Sequence, residues 1–216
     1  MSEGASRDLS RMRREYLTGN LLESDLKADP FQQFDLWYQQ AEQACRYFPN
    51  TMTLATVANG EPFQRVVLLK GYDEHGFVFY TNQSSRKGQQ LTANARVALT
   101  FFWEELERQV NIRGTVEKTS DAEADEYWNT RPRGSQLGAW ASEQSAPVES
   151  RKVLTDALHK YTAEFAGKNV PRPQDWGGYR VIPENIEFWQ GQPDRLHDRF
   201  IYSRSDSGWS IQRLSP

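Results

Sequence analysis

Asn59-Gly60 lies between two strand-like runs, 51–57 (TMTLATV) and 62–71 (PFQRVVLLKG), and constrains this chain more than any other feature. A two-residue Asn-Gly turn closes a hairpin, so the flanking runs must pair antiparallel; parallel strands need a crossover of a dozen residues or more. The pattern continues downstream. Residues 77–81 follow the Asp73–Gly76 turn, 96–103 and 108–117 are separated by a few residues, and strand signals return at 178–182, 186–189, 197–204 and 208–213. Helices fit between and around them. Asp29-Pro30 is a strong helix start, followed at helical spacing by Phe31, Phe34, Trp37, Tyr38, Ala41, Cys45 and Phe48 as far as Pro49. Ser84 or Ser85 caps a short helix to about Asn94, Ser120 with Glu123 has capping-box spacing ahead of a helix stopping near Pro132, and another fits 148–166. The expectation is a mainly β fold, an antiparallel sheet or small barrel with peripheral helices, and not a doubly wound parallel array.

The chain has 216 residues, enough for one domain with a real core, and 12% of them are aromatic. Residues 1–28 read as a polar, partly mobile N-terminal segment and 29–216 as a single domain. A net charge of −3 gives no basic field for nucleic acid. The one cysteine, Cys45, precludes an internal disulfide and reads as core packing in a reducing compartment. No apolar stretch reaches membrane-spanning length and no targeting segment is visible, so a cytoplasmic location is expected. The Rossmann glycine fingerprint, the P-loop, a histidine metal site and a nucleophile elbow are all missing from the sequence. Glu104, Glu105 and Glu107 read as a solvated turn rather than paired catalytic carboxylates.

Four segments look chemical. On a strand, Arg195, His197 and Arg199 would share one face, which must be solvent or an anion-binding cleft because such charges do not stay dry and unpaired. The nearby Phe188-Trp189 could wall a flat ligand. Ser84–Lys87 sits where a helix begins; backbone N–H groups with Arg86 and Lys87 would suit a phosphate, or form a plain solvated helix start. Arg65 and Lys70 differ in parity along their strand, so they face opposite sides: two ligand groups, a ligand and a partner, or two snorkelling cations on an edge. Tyr127–Gln136 gathers Tyr127, Arg131, Arg133 and Ser135 round a helix end, groups that can fork and cage phosphate oxygens, or simply form a polar loop.

These segments, in this order, resemble the pyridoxine (pyridoxamine) 5′-phosphate oxidase family from about residue 12 to the C-terminus. The resemblance is carried by R-R-E-Y at 13–16, Q-R-V-V-L-L-K at 64–70, F-Y-T-N at 79–82 with S-R-K at 85–87, and E-R-Q-V at 107–110. It continues through R-P-R-G-S-Q at 131–136, Q-S at 144–145, W-G-G-Y at 176–179, and E-F-W-Q-G-Q at 187–192 running into R-L-H-D-R at 195–199. It implies a split β-barrel homodimer with FMN in clefts at the subunit interface. Arg65, Val66, Val67, Leu68, Leu69, Lys70, Tyr80, Thr81, Arg86, Lys87, Gln109, Gln144, Ser145, Trp189 and Arg199 would then contact FMN. Lys70, Tyr127, Arg131 and Ser135 would hold the substrate phosphate. Arg195, Leu196 and His197 would lie against the pyridine ring, with Arg195 and His197 as the catalytic pair, and Arg13, Arg14, Glu15 and Tyr16 would form a mobile lid. The implied reaction takes a hydride from the 4′-carbon of pyridoxine or pyridoxamine 5′-phosphate to FMN, with O2 reduced to hydrogen peroxide. A non-catalytic FMN or pyridoxal-phosphate carrier and a nicotinamide-dependent flavin reductase are the alternatives. Two positions depart from the family pattern: Pro193-Asp194 ahead of Arg195, and Trp128 where a smaller aromatic is usual.

Overall fold

Asp29 accepts hydrogen bonds from the amides of Phe31 (2.6 Å) and Gln32 (3.4 Å), and this starts α1 (Pro30–Ala44). The computed structural model describes residues 8–12 and 15–216. Helix α1 turns Phe31, Phe34, Trp37 and Ala41 inward at helical spacing. It ends earlier than its apolar pattern predicts. Phe48 lies beyond it, 70% exposed with φ 30°, because Pro49 disfavours helical backbone in the residue before it. Cys45 caps the helix and packs half-buried on the core, where burial and the neighbouring Glu105 push its thiol up to about 11.

The strands are β1 (Thr51–Ala58), β2 (Glu61–Leu68), β3 (Gly71–Asp73), β4 (Gly76–Asn82), β5 (Arg96–Trp103), β6 (Arg108–Lys118), β7 (Trp176–Gln190), β8 (Asp198–Ser205) and β9 (Gly208–Arg213). The sheet runs β2-β1-β5-β6-β7-β4-β3, every pairing antiparallel, with β8 and β9 branching from β7. Asn59 (φ 53°) and Gly60 (φ 80°) close the β1–β2 hairpin with both residues left-handed. The split arises on β7. Along one side β6 pairs with it from Lys118↔Tyr179 to Arg108↔Gln190, while the other side is shared by β4 up to Val181 and β8 from Asn185. The sequence signals read this segment as two strands; continuous pairing to β6 makes it one. A bulge at Arg113/Gly114 takes up the extra residue, and a Cβ on Gly114 would lie 2.0 Å from the Ile182 carbonyl oxygen, so only glycine fits there.

The helices flank this barrel: α2 (Arg86–Ala93), α3 (Asp121–Thr130), α4 (Arg133–Ala141) and α5 (Arg151–Glu164). Ser85 caps α2, and the reciprocal Ser120–Glu123 box caps α3, as their spacing predicts. Helix α4 falls where the sequence reads as a polar loop. It carries Gly134 and Gly138 and has weak intrinsic propensity; what holds it is Leu137, buried with Trp128, Val170 and Trp176, and the Trp140 indole N–H donating to Pro171 (2.8 Å). Among the described residues no helix is long and apolar enough to cross a membrane.

Phe34 is the hub of the main core, fully buried and in ring contact with Tyr38, Tyr72, Phe77, Phe101 and Trp103 at centroid distances of 4.9–6.1 Å. Phe34→Ala is expected to cost about 3–5 kcal/mol of stability and lower Tm by roughly 10 °C, read by thermal melting. A shift within about 2 °C would mean the core closes over the void.

Candidate functional site

The β2 strand ends at Leu68, yet the alternation runs on through the link to β3: Arg65, Val67 and Leu69 turn inward while Val66, Leu68 and Lys70 stay exposed, and the Lys70 amide bonds the Val78 carbonyl (2.8 Å). Arg65 faces inward beneath α2. Its guanidinium donates to Leu54 O (3.3 Å), Thr56 Oγ1 (2.8 Å) and Gln90 Oε1 (2.7 Å), all neutral groups, and burial lowers its pKa. Val66 and Leu68, on the other face of β2, stay 66% and 38% exposed, whereas Leu69 enters the core and Val67 packs half-buried against it. Lys87 in the first turn of α2 donates to Thr81 Oγ1 (3.1 Å), and Thr81 passes the chain to Gln144 Oε1 (2.9 Å). Burial, then the Arg65 charge, depress the Lys87 pKa.

Lys70, Lys87 and Arg131 line one cavity of about 790 Å³ together with Val66, Val67, Leu68, Tyr80, Thr81, Tyr127, Ser135 and Gln144. Among the described residues no carboxylate lines it. Tyr80, Tyr127 and Trp176 stack as three near-parallel rings, Tyr80 to Tyr127 at 4.1 Å, with the Lys70 ammonium 5.8 Å from the Tyr127 centroid. The Arg131 guanidinium lies over Trp176 (4.6 Å) and Trp128 (5.0 Å), and its Nη1 is buried without a hydrogen-bond partner. A buried, partnerless cationic donor costs free energy until an acceptor arrives, so this cavity is built for an anion. Arg86, exposed on α2, opens with Gln144 and Ser145 onto an adjoining cavity of about 800 Å³. Ser145 is left-handed (φ 75°).

A second group lies at the far end of β7. Gln109, Trp189 and Arg199 are cross-strand neighbours on β6, β7 and β8. Arg199 pairs with Glu187 (2.8 Å) and donates to Ser215 O (2.8 Å). The expectation that Arg195, His197 and Arg199 share a strand face is corrected: β8 begins at Asp198, and Pro193–Arg195 form a 3-10 turn. Asp194 (φ 55°) and Arg195 (φ 63°) are consecutive left-handed non-glycine residues, a strained conformation of the kind that concentrates at functional sites. Leu196 is 70% exposed. The His197 ring lies 4.6 Å from Trp189, and its Nδ1 accepts the Gln192 backbone N–H (3.1 Å), which puts the neutral ring's proton on Nε2. Burial, then Arg195 and Arg199, hold its pKa below the ordinary 6.5.

Tyr16 meets Trp189 and His197 edge-on, each at 5.5 Å, with Glu15 exposed beside it. Arg13 and Arg14 lie outside the described residues. Glu107, read from the sequence as part of a solvated turn, is instead 3% exposed and left-handed (φ 54°), and it bonds the segment after Tyr16. Sequence reasoning also missed Trp128 and Trp176 as the seat of Arg131. Their spacing carries no signal, since one is on α3 and the other on β7.

Fold and site together define a split-barrel protein of the FMN-binding type, with an anion cavity at one end of its central strand and an aromatic–imidazole cluster at the other. Residues 40–164 match the family model described as pyridoxamine 5′-phosphate oxidase, and residues 176–216 match the pyridoxine 5′-phosphate oxidase C-terminal dimerisation region. The pyridoxine/pyridoxamine 5′-phosphate oxidase of Rubrobacter xylanophilus is 55% identical, with 100% of each chain covered, and that of Paraburkholderia phymatum is 55% identical over 96% of this chain and 99% of its own. Among solved structures, PhzG from Burkholderia lata 383, in complex with tetrahydrophenazine-1-carboxylic acid, is similar with a TM-score of 0.85 and 30% identity, covering 91% of this chain and 98% of PhzG. A pyridoxamine 5′-phosphate oxidase-related, FMN binding protein from Nostoc punctiforme shares the fold, with a TM-score of 0.68 and 16% identity over 88% of this chain and 100% of that one. The chain belongs to the pyridoxine/pyridoxamine 5′-phosphate oxidase family, and it is an oxidoreductase.

Proposed function

We propose that this protein oxidises pyridoxine 5′-phosphate or pyridoxamine 5′-phosphate to pyridoxal 5′-phosphate, with FMN as cofactor and O2 as the final oxidant, reduced to hydrogen peroxide. The observation that carries this reading is the cavity holding Lys70, Lys87 and Arg131, where among the described residues no carboxylate lines the wall and the buried Arg131 Nη1 has no partner. Such a donor set fits phosphate esters. Lys70, Tyr127, Arg131 and Ser135 hold the substrate phosphate; Arg65, Arg86 and Lys87 hold that of FMN, while residues 66–69, Tyr80 and Thr81 flank the rest of the cofactor. FMN when bound supplies the two-electron acceptor that no side chain here can provide. The substrate loses a hydride from its 4′-carbon and a proton from its hydroxyl or amine; an imine so formed hydrolyses to aldehyde and ammonia.

The remaining roles call for two copies of the chain. Gly177, beside Thr81 and Tyr80, and Trp189 are twelve residues apart on β7, which at the usual strand rise is roughly 40 Å. One flavin would not bridge that distance within a chain. Gln144, bonded to Thr81, and Ser145 flank the same chain's cofactor, while a homodimer, supported by the match of residues 176–216 to a dimerisation region, would bring Gln109, Trp189 and Arg199 to the partner's cofactor. Arg195 and His197 then lie against the substrate ring, with His197 presenting its Nε2–H as a donor and Arg195 clamping the ring. Tyr16 and the residues around it form a lid over this end.

The direct test is spectroscopic. The purified protein should be yellow, bleach when pyridoxine 5′-phosphate is added without air, and in air form an aldehyde with no nicotinamide present. A yellow protein indifferent to the substrate would favour a flavin carrier or a nicotinamide-dependent reductase, and a colourless one that cannot take up FMN would overturn the reading. The pH profile tests His197. Its donor role needs the neutral ring, and the neutral form persists below pH 6.5 because its pKa is lowered. The ratio kcat/KM should therefore hold as pH drops past 6.5 and fall only at more acid pH, where a second ring proton would face the Gln192 N–H. His197→Asn should remove that acid limb. A limb centred at or above 6.5 in the parent enzyme would refute the assignment.

A further inference from the structure

Among the described residues, Glu107 fastens the N-terminal segment through one carboxylate oxygen. Its Oε2 accepts the Leu17 amide (2.7 Å), the Thr18 amide (2.9 Å) and the Thr18 hydroxyl (2.8 Å). The same residue's carbonyl accepts the Gly191 amide (2.8 Å), at the head of the loop that carries His197. One side chain and its own backbone thus tie two separate pieces of the site to the start of β6. The segment is anchored again farther on, where Gln192 Nε2 donates to Gly19 O (2.6 Å) and Asp198 Oδ2 accepts the Leu21 amide (3.1 Å). Between the front anchor and the His197 loop lies Tyr16. A Cβ on Gly191 would fall 2.6 Å from Tyr16 Cγ, so the glycine is the floor on which this ring rests.

A carboxylate that is 3% exposed needs donors around it, and a turn that only joined two strands would supply none from the N-terminal segment. Here all three of its hydrogen bonds from described residues go to Leu17 and Thr18, and those bonds are charge-assisted, roughly twice as strong as neutral ones. Resting on the oxidase reading above, we infer that Glu107 is a positioning residue: by holding Leu17 and Thr18 it seats Tyr16 against His197 and Trp189, closing the ring end of the substrate site.

The test compares the FMN-loaded wild type with Glu107→Gln, in which the charge is lost and half the head group can no longer accept a hydrogen bond. Hydrogen exchange of the Leu17 and Thr18 amides should quicken about tenfold or more. The KM for pyridoxine 5′-phosphate should rise about tenfold, with kcat changed by less than about threefold, because the lost contact is made equally in ground and transition states. FMN retention should be unchanged. Unaltered exchange would overturn the anchoring, and faster exchange with an unaltered KM would overturn the positioning role. Gly191→Ala provides the second arm, leaving the carboxylate in place while displacing Tyr16; it should reproduce the KM rise, and a wild-type KM there would also overturn the inference. A wild type that binds FMN but does not turn over would sink the oxidase reading alone, and the exchange comparison would still decide whether Glu107 holds the segment.

Discussion

Arg131→Met is expected to lower kcat/KM for pyridoxine 5′-phosphate by roughly two to three orders of magnitude and to leave the ligand-free protein at least as stable as before. The first half follows from truncating one partner of a desolvated charge pair with phosphate, which typically costs about 2–5 kcal/mol, each 1.4 kcal/mol being about tenfold. The second half follows from the geometry without ligand. Nη1 has no acceptor, burial already lowers the guanidinium's pKa, and what offsets the cost is its seat over Trp128 and Trp176. Methionine keeps an unbranched, polarizable chain against those two indoles and removes the buried charge. Steady-state kinetics with a melt of the apoprotein measures both halves. An unchanged kcat/KM would remove Arg131 from the phosphate site; a large fall in Tm would make it a structural residue.

Arg65→Met should weaken FMN binding by roughly a hundredfold while changing riboflavin binding by only a few-fold, since the two ligands differ by the phosphate alone. Arg65 is held by Leu54 O, Thr56 and Gln90, and it depresses the pKa of Lys87. Two cations that repel one another and bond only neutral groups raise each other's free energy until a dianion neutralises both. Removing one relieves that repulsion, so the apoprotein should not lose stability through electrostatics. Titration of apoprotein with each flavin, followed by fluorescence quenching, gives both constants. Equal loss of FMN and riboflavin affinity would assign Arg65 to shaping the ring pocket instead.

Of the candidate site, the groups legible in the sequence were those whose chemistry is local. Ser85 with Arg86 and Lys87 reads as a capped helix start, and that is what forms. Tyr127, Arg131 and Ser135 lie close in sequence at the α3–α4 junction, and they do line one cavity. Strand parity placed Arg65 and Lys70 on opposite sides, and the alternation does run on past the end of β2, but it misled at Arg195, because periodicity assumes a regular strand. Arg195 sits in a tight left-handed turn, so its side chain does not follow the two-residue alternation. Helix α4 was illegible because its glycines argue against a helix and its support comes from distant residues at 165–171.

The sequence by itself determined the antiparallel class, the helix starts at Asp29, Ser85 and Ser120, and the family, because turns, caps and motif order are written in adjacent residues. Only the tertiary structure decided that β7 is one strand shared by β4 and β8, that Arg131 rests on Trp128 and Trp176, and that Glu107 is buried under the N-terminal segment. Arg131 and Trp176 are 45 positions apart and Glu107 and Leu17 are 90, while the sharing of β7 depends on what lies across a strand. Contacts at such separations are chosen by how the whole sheet closes and leave no periodic trace along the chain.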